Sequence, residues 1–126
     1  MNLIFDKKQI AAIYRVADMM VKADGRIFPE ELATIEDSMK KLGVTSPVEF
    51  QEIKQNSSLM DDASVYVILS RLEMEQKRFV TSMLGTIISS DGDIDDNELQ
   101  LWRCVTDECQ FPYMSNRQAI EIYNNY

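Results

Sequence analysis

The fold of this chain is decided by the stretch Ala23-Asp24-Gly25-Arg26-Ile27-Phe28-Pro29-Glu30-Glu31-Leu32, which recurs in altered form 67 positions later. The second copy reads Ser90-Asp91-Gly92-Asp93-Ile94-Asp95-Asp96-Asn97-Glu98-Leu99, and it aligns with the first without gaps. Asp, Gly, Ile, Glu and Leu match at equivalent positions, and apolar residues match at the same offset in the flanking sequence. The chain therefore contains a duplicated unit, with internal repeats around residues 10–42 and 77–109.

Each repeat has the sequence of a turn between two helices. Gly25 and Gly92 end the incoming helix, because glycine adopts the left-handed backbone conformation without steric cost. Glu31 and Glu98 occupy the third position of the outgoing helix, where a carboxylate accepts a hydrogen bond from the cap amide and meets the positive end of the helix dipole. The aspartate before each glycine can close the turn by accepting from backbone amides. The repeats therefore predict two helix-turn-helix hairpins.

Helical periodicity covers most of the remaining chain, whereas strand signals are nearly absent. The predicted helices begin after Asp6, at Pro29, after Ser46, after Asp61 or Asp62, near Glu73, near Asp96 and after Ser115. On the second helix, Leu32, Ile35 and Met39 are expected to point inward. The sequence thus predicts a compact all-α domain of seven helices, a single domain over residues 1–126 with two pseudo-symmetric hairpins.

Composition and charge narrow the function classes. The chain has 126 residues, of which 45% are hydrophobic, and its 21 acids and 13 bases give a net charge of -8. Nucleic acid is not expected as a partner, because affinity for phosphates depends on Lys and Arg and no basic stripe occurs. No apolar run reaches the roughly 20 residues of a membrane helix. The first residues lack the features of a secretory signal, so a cytoplasmic location is expected.

Catalysis is not expected either. The chain has no histidine, which removes the most common acid-base group and the most common transition-metal ligand. The neighbouring acids Glu30-Glu31 and Asp95-Asp96 point in different directions from their helix starts, so neither pair faces one substrate. Cys104 and Cys109 lie five positions apart on one predicted helix, which favours two unpaired thiols in a reducing compartment over a disulfide, redox or metal site.

Metal binding is the alternative to pure capping at the two turns. Asp91, Asp93 and Asp95 follow the first three ligand spacings of an EF-hand, but Asp96 replaces its glycine and Trp102 replaces its bidentate glutamate. An EF-hand is therefore not expected. Structural capping is favoured at both turns, and the alternative is a weak Ca²⁺ or Mg²⁺ site. Its candidate ligands are Asp91, Asp93, Asp95, Glu98, Asp24 and Glu31.

The pattern Asp-Gly-x-Ile-x-x-x-Glu-Leu, present twice between predicted helices, resembles the TerB-like (tellurite-resistance) family over most of the chain. The resemblance implies a seven-helix domain with two hairpins related by pseudo-symmetry. It also implies an association with tellurite and other stress responses, and acids that bind divalent cations. The matching positions are Asp24, Glu31, Asp91 and Glu98, joined by Glu30 and Asp95. The sequence departs from the pattern at Arg26, Pro29 and Asn97, which weakens a metal site shared by the two turns.

Aromatic and apolar residues are concentrated near the carboxyl end, at Phe111, Pro112, Tyr113, Met114, Tyr123 and Tyr126. Core packing explains such a segment, and the alternative is a surface for a protein partner or a second copy of the chain. The sequence as a whole predicts a non-enzymatic, stress-associated protein-interaction module. The alternatives are a scaffolding domain that docks a partner through this aromatic region and, last, a carboxylate-dependent enzyme.

Overall fold

The computed structural model describes residues 3–23 and 25–126, and within these ranges the chain is all-α, with seven helices and no strand. The helices are α1 (Lys7–Val21), α2 (Pro29–Lys41), α3 (Pro47–Ser58), α4 (Asp62–Ser70), α5 (Met74–Ser89), α6 (Asp96–Glu108) and α7 (Asn116–Asn124). None of these described helices is both long and apolar enough to cross a bilayer. The predicted fold class is confirmed, whereas pseudo-symmetry between the two hairpins stays a prediction.

The helices begin where the sequence supplies a cap. Asp6 Oδ1 accepts from Gln9 N at 2.7 Å, and Gln9 Oε1 accepts in return from Asp6 N at 2.9 Å. Of the two candidate caps for α4, Asp61 is the one that accepts a hydrogen bond from the first turn. Serine caps begin α3 and α7, at Ser46 and Ser115. Each such cap contributes about 1 kcal/mol, so the helix boundaries are fixed locally.

The core is built around α5, which contacts α1, α2, α6 and α7. Its buried apolar side chains include Phe79, Val80, Met83, Leu84, Ile87 and Ile88. From α6, Trp102 is fully buried, and its Nε1 donates to the backbone oxygen of Thr81 at 3.2 Å and to the Thr81 hydroxyl at 3.1 Å. Apolar residues of all seven helices join this one core cluster.

The inward position predicted for Leu32 was wrong. Ile35 and Met39 are buried as expected, but Leu32 is 47% exposed. The inner face of α2 runs through Glu31, Ile35 and Ser38, which are all buried. These residues follow one another at spacings of four and three, so they share a helix face and leave Leu32 at its margin.

The aromatic segment at the carboxyl end lies largely in the core. Its buried members are Phe111, Met114 and Tyr123. Tyr123 Oη donates to Asp37 Oδ2 at 2.7 Å and lies 2.8 Å from Ser38 Oγ, which ties α7 to α2. Burial is the main cause that raises the pKa of Tyr123 well above its ordinary value. Tyr113 is exposed. Few aromatic side chains of this segment are therefore exposed for contact with a partner.

The two cysteines are free thiols in different surroundings. Cys104 is exposed, whereas Cys109 is buried at the end of α6. Burial is the main cause that raises the pKa of the Cys109 thiol to about 11. Because a thiol reacts as its thiolate, Cys109 is chemically inert near neutral pH.

Candidate functional site

The two turns of the sequence repeat share their local backbone geometry. Gly25 and Gly92 have φ values of 79° and 84°, so both adopt the left-handed conformation that was predicted for them. The amide of Gly25 donates to Lys22 O, and the amide of Gly92 donates to Ser89 O, both at 3.1 Å. Because Lys22 and Ser89 are equivalent in the repeat, the two copies close their turns with the same hydrogen bond.

The outgoing helices are capped differently. At the start of α2, Glu31 Oε1 accepts from the backbone amide of Phe28 at 3.1 Å, as the helix-end interpretation predicts. At the start of α6, Asp95 Oδ1 accepts from the amides of Asn97 and Glu98 at 2.8 and 3.2 Å. Glu31 and Glu98 are 1% and 2% exposed. Two of the six candidate metal ligands are thus buried at helix starts, and a third is a helix cap.

The second turn and part of the first line one cavity of about 250 Å³, the acidic cleft. Its lining residues are Arg26, Phe28, Asp91, Asp93, Ile94, Asp95, Asp96 and Glu98. All four candidate ligands of the second turn are among them. The candidate ligand Asp24 lies outside the described residues. The acidic cleft therefore brings together the four predicted acids of the second turn, whereas Glu31 is not among its lining residues.

Five carboxylates and one guanidinium give the acidic cleft its charge. Asp91 Oδ1 accepts from the amide of Asp93 at 3.0 Å, which closes the turn. Asp93 and Asp96 are exposed, and Asp95 is half-buried. Arg26 lies against Phe28, with Cζ 5.7 Å from the ring centroid. A cleft of this composition attracts a cationic group.

The described residues contain no group of three His, Cys, Asp or Glu side chains close enough together to hold a metal ion. Ca²⁺ takes six to eight oxygen ligands, and Mg²⁺ requires nearly octahedral geometry. A cation in the acidic cleft would therefore need several carboxylates to turn toward one point. The set of metal ligands stays a prediction.

One exposed apolar side chain lines the acidic cleft, and a second lies in the adjoining sequence. Ile94 lines the cleft and is partly exposed, and Ile27, next to Arg26 and Phe28, is also exposed. The spacing of Ile27 from Leu32, and of Ile94 from Leu99, is that of a hydrophobic staple, so it predicts that each isoleucine packs against the leucine of its own turn. The exposure of these two isoleucines was not predicted. An isoleucine at this position is equally consistent with a staple and with a surface that contacts a partner. The site therefore combines negative charge with accessible apolar surface.

Comparison with known proteins gives a family and no activity. No family model matches the sequence, and no curated protein matches it. The crystal structure of a protein of unknown function from Porphyromonas gingivalis W83 matches with 33% sequence identity and a TM-score of 0.87, over 99% of this chain and 100% of that one. This chain belongs to the family of that protein. The Porphyromonas protein has the same fold as this chain. The resemblance to TerB-like domains rests on the sequence motif and stays a prediction.

Proposed function

We propose that this chain is a non-enzymatic protein-interaction module whose acidic cleft holds a basic segment of a partner protein. The observation that carries the proposal is the combination of five carboxylates with the exposed Ile94 in one cavity. A Lys or Arg side chain flanked by apolar residues complements such a surface in both charge and polarity. The net charge of -8 favours the approach of a basic partner over that of an acidic one.

The chemistry of the cleft supports binding more than catalysis. The chain has no histidine to transfer protons near neutral pH. Asp95 is a helix cap, which holds its carboxylate in a structural hydrogen bond. The two free thiols suit the reducing cytoplasm that the proposal assigns to the chain. A stress-associated role, taken from the TerB-like resemblance, is part of the same proposal.

The partner experiment measures binding of a fluorescent peptide with a Lys-Arg centre flanked by leucines. The double variant Asp93→Asn/Asp96→Asn removes two exposed charges from the cleft. We expect affinity to fall by roughly tenfold, since exposed ion pairs contribute about 0.2–1 kcal/mol each. The control variant Glu36→Gln/Glu108→Gln makes the same change in net charge at exposed acids outside the cleft. Equal weakening by both variants would show general charge attraction and refute a specific site.

Divalent-cation binding is the second candidate function. It is favoured by one observation, that Asp91, Asp93, Asp95 and Glu98 all line the same cavity. Addition of millimolar CaCl₂ or MgCl₂, followed by amide NMR, is expected to shift the signals of residues 91–98 selectively. Unchanged signals in this segment at saturating metal would remove this candidate and leave the protein-partner proposal intact. The metal titration and the peptide-binding assay together separate the two functions.

A further inference from the structure

The outward face of α4 is apolar and accessible. Of this nine-residue helix, Val65 and Leu69 are buried in the core, whereas Val67 is 46% exposed and Ile68 is half-buried. Leu59, just before the helix, is 85% exposed. An open groove of about 480 Å³ follows this face, and Lys8 of α1 lies at its edge. These groove residues are separate from the residues that line the acidic cleft.

The outward residues of α4 recur at helical spacing and change in size along the helix. Ala63 and Ser64 are small and lie in the amino-terminal half, and Val67 and Ile68 are large and lie in the carboxy-terminal half. Residues at spacings of three and four share a helix face. If two such helices pack antiparallel about a two-fold axis between residues 65 and 66, position 63 faces position 68 and position 64 faces position 67. Each small side chain then receives a large one.

The charges at the ends of this face follow the same symmetry. Asp61 lies at the amino end of the groove and Arg71 at its carboxyl end. The axis between residues 65 and 66 places Asp61 one residue away from the position opposite Arg71 of the other copy, within reach of the long arginine side chain, and it does so twice. Hydrogen bonds from Ser64 are the main cause that lowers the pKa of Asp61, so this carboxylate stays ionised.

We propose that a second copy of this chain occupies the outward face of α4 and forms a two-fold symmetric dimer. Self-complementarity in both size and charge is what identifies the occupant, because an isologous interface pairs each residue with its symmetry mate. The helix is short, so the interface is smaller than the roughly 800 Å² per partner of a stable complex. The dimer is accordingly weak, also because each copy carries a net charge of -8 and repels the other, and it forms with increasing protein concentration.

The first test is sedimentation velocity from about 10 µM to about 1 mM, the range in which weak complexes form. The wild-type chain is expected to shift from monomer toward dimer over this range. Val67→Glu places an unpaired charge at the centre of the interface and is expected to stay monomeric. Val48→Glu, at an exposed position on α3, is the matched control and should behave as wild type. A wild-type chain that stays monomeric, or equal effects of both variants, overturns the proposal.

The second test exchanges the charges between two copies. Arg71→Glu and Asp61→Lys each place like charges opposite one another in a homodimer, so each variant alone is expected to be monomeric. Mixed together, they restore two opposite-charge pairs and should associate as a heterodimer. Asp61→Lys removes the α4 cap, so circular dichroism must first show that it folds. If the folded variants do not associate, the antiparallel arrangement is wrong. If Asp61→Lys does not fold, the comparison of Val67→Glu with Val48→Glu decides.

Discussion

Gly85→Ala is the substitution that most directly tests the packing of α5. Gly85 lies inside a helix and has no positive φ, so alanine suits its backbone. Helix propensity alone predicts that alanine stabilises the protein by about 1 kcal/mol. A Cβ atom at this position, however, would lie 2.6 Å from Ala119 Cβ, 2.6 Å from Trp102 Cζ2 and 2.9 Å from Trp102 Cη2. Carbon atoms in good contact are about 3.5–4.0 Å apart.

Neither neighbour of Gly85 can move easily. Ala119 and Trp102 are both fully buried, and the indole of Trp102 is held by hydrogen bonds to Thr81. Overpacking of a buried site costs about 1–3 kcal/mol, and contacts this short belong at the upper end or above it. After the gain in helix propensity is subtracted, the net loss is about 2 kcal/mol or more. For a chain of this length, that loss lowers Tm by about 8 °C.

The assay is urea unfolding, followed by far-UV circular dichroism and by the fluorescence of Trp102. Gly85→Ala/Ala119→Gly is expected to recover part of the loss, because it removes the Ala119 Cβ contact. Gly43→Ala is a second comparison, since Gly43 has φ 94° and open space around it, so its cost of about 1 kcal/mol comes from the backbone. A stabilised Gly85→Ala variant, or strictly additive losses in the double variant, would refute the close approach of α5, α6 and α7.

Three further predictions test local features of the structure. Tyr123→Phe removes a buried hydroxyl that has two hydrogen-bond partners on α2. Chemical unfolding should show that the free energy of unfolding falls by about 1–3 kcal/mol, and an unchanged value would contradict these hydrogen bonds. In the same assay, Asp95→Ala should lower the free energy of unfolding by about 1 kcal/mol, whereas Asp96→Ala should leave it nearly unchanged. Equal effects of the two variants would contradict the assignment of Asp95 as the cap of α6. Because the pKa of Cys109 is raised to about 11, iodoacetamide at pH 8 should modify Cys104 first; mass spectrometry that finds equal labelling would contradict its burial.

The helix starts were predictable from the sequence because caps act within a few residues. Asp6, Ser46 and Ser115 accept hydrogen bonds from amides three residues ahead, so the signal and the contact lie in the same short segment. The glycines of the two turns were predictable for the same reason, since φ depends on local sterics. At these positions prediction succeeded because the decisive contact was local.

Long-range packing set the features that the sequence did not reveal. Leu32 has the spacing of an inward residue, but its exposure depends on where α5 lies against α2. Arg26 and Phe28 join the acids of the second turn at the acidic cleft, across about 65 residues of intervening chain that no local pattern connects. The aromatic segment at the carboxyl end favoured core packing and left a partner surface as the alternative, and the contacts of α7 with α5 and α2 bury Tyr123.

Capping and ligand binding compete for the same carboxylates in the acidic cleft, and this competition favours one kind of ligand. A bound Ca²⁺ ion would take its oxygens from many directions, so it would draw on Asp95 and weaken a cap that contributes about 1 kcal/mol. A Lys or Arg side chain needs only a few acceptors and can use the exposed oxygens of Asp93 and Asp96. It would leave the start of α6 unchanged, and an apolar residue beside it could contact Ile94. A basic peptide bound at this site would therefore not oppose the fold.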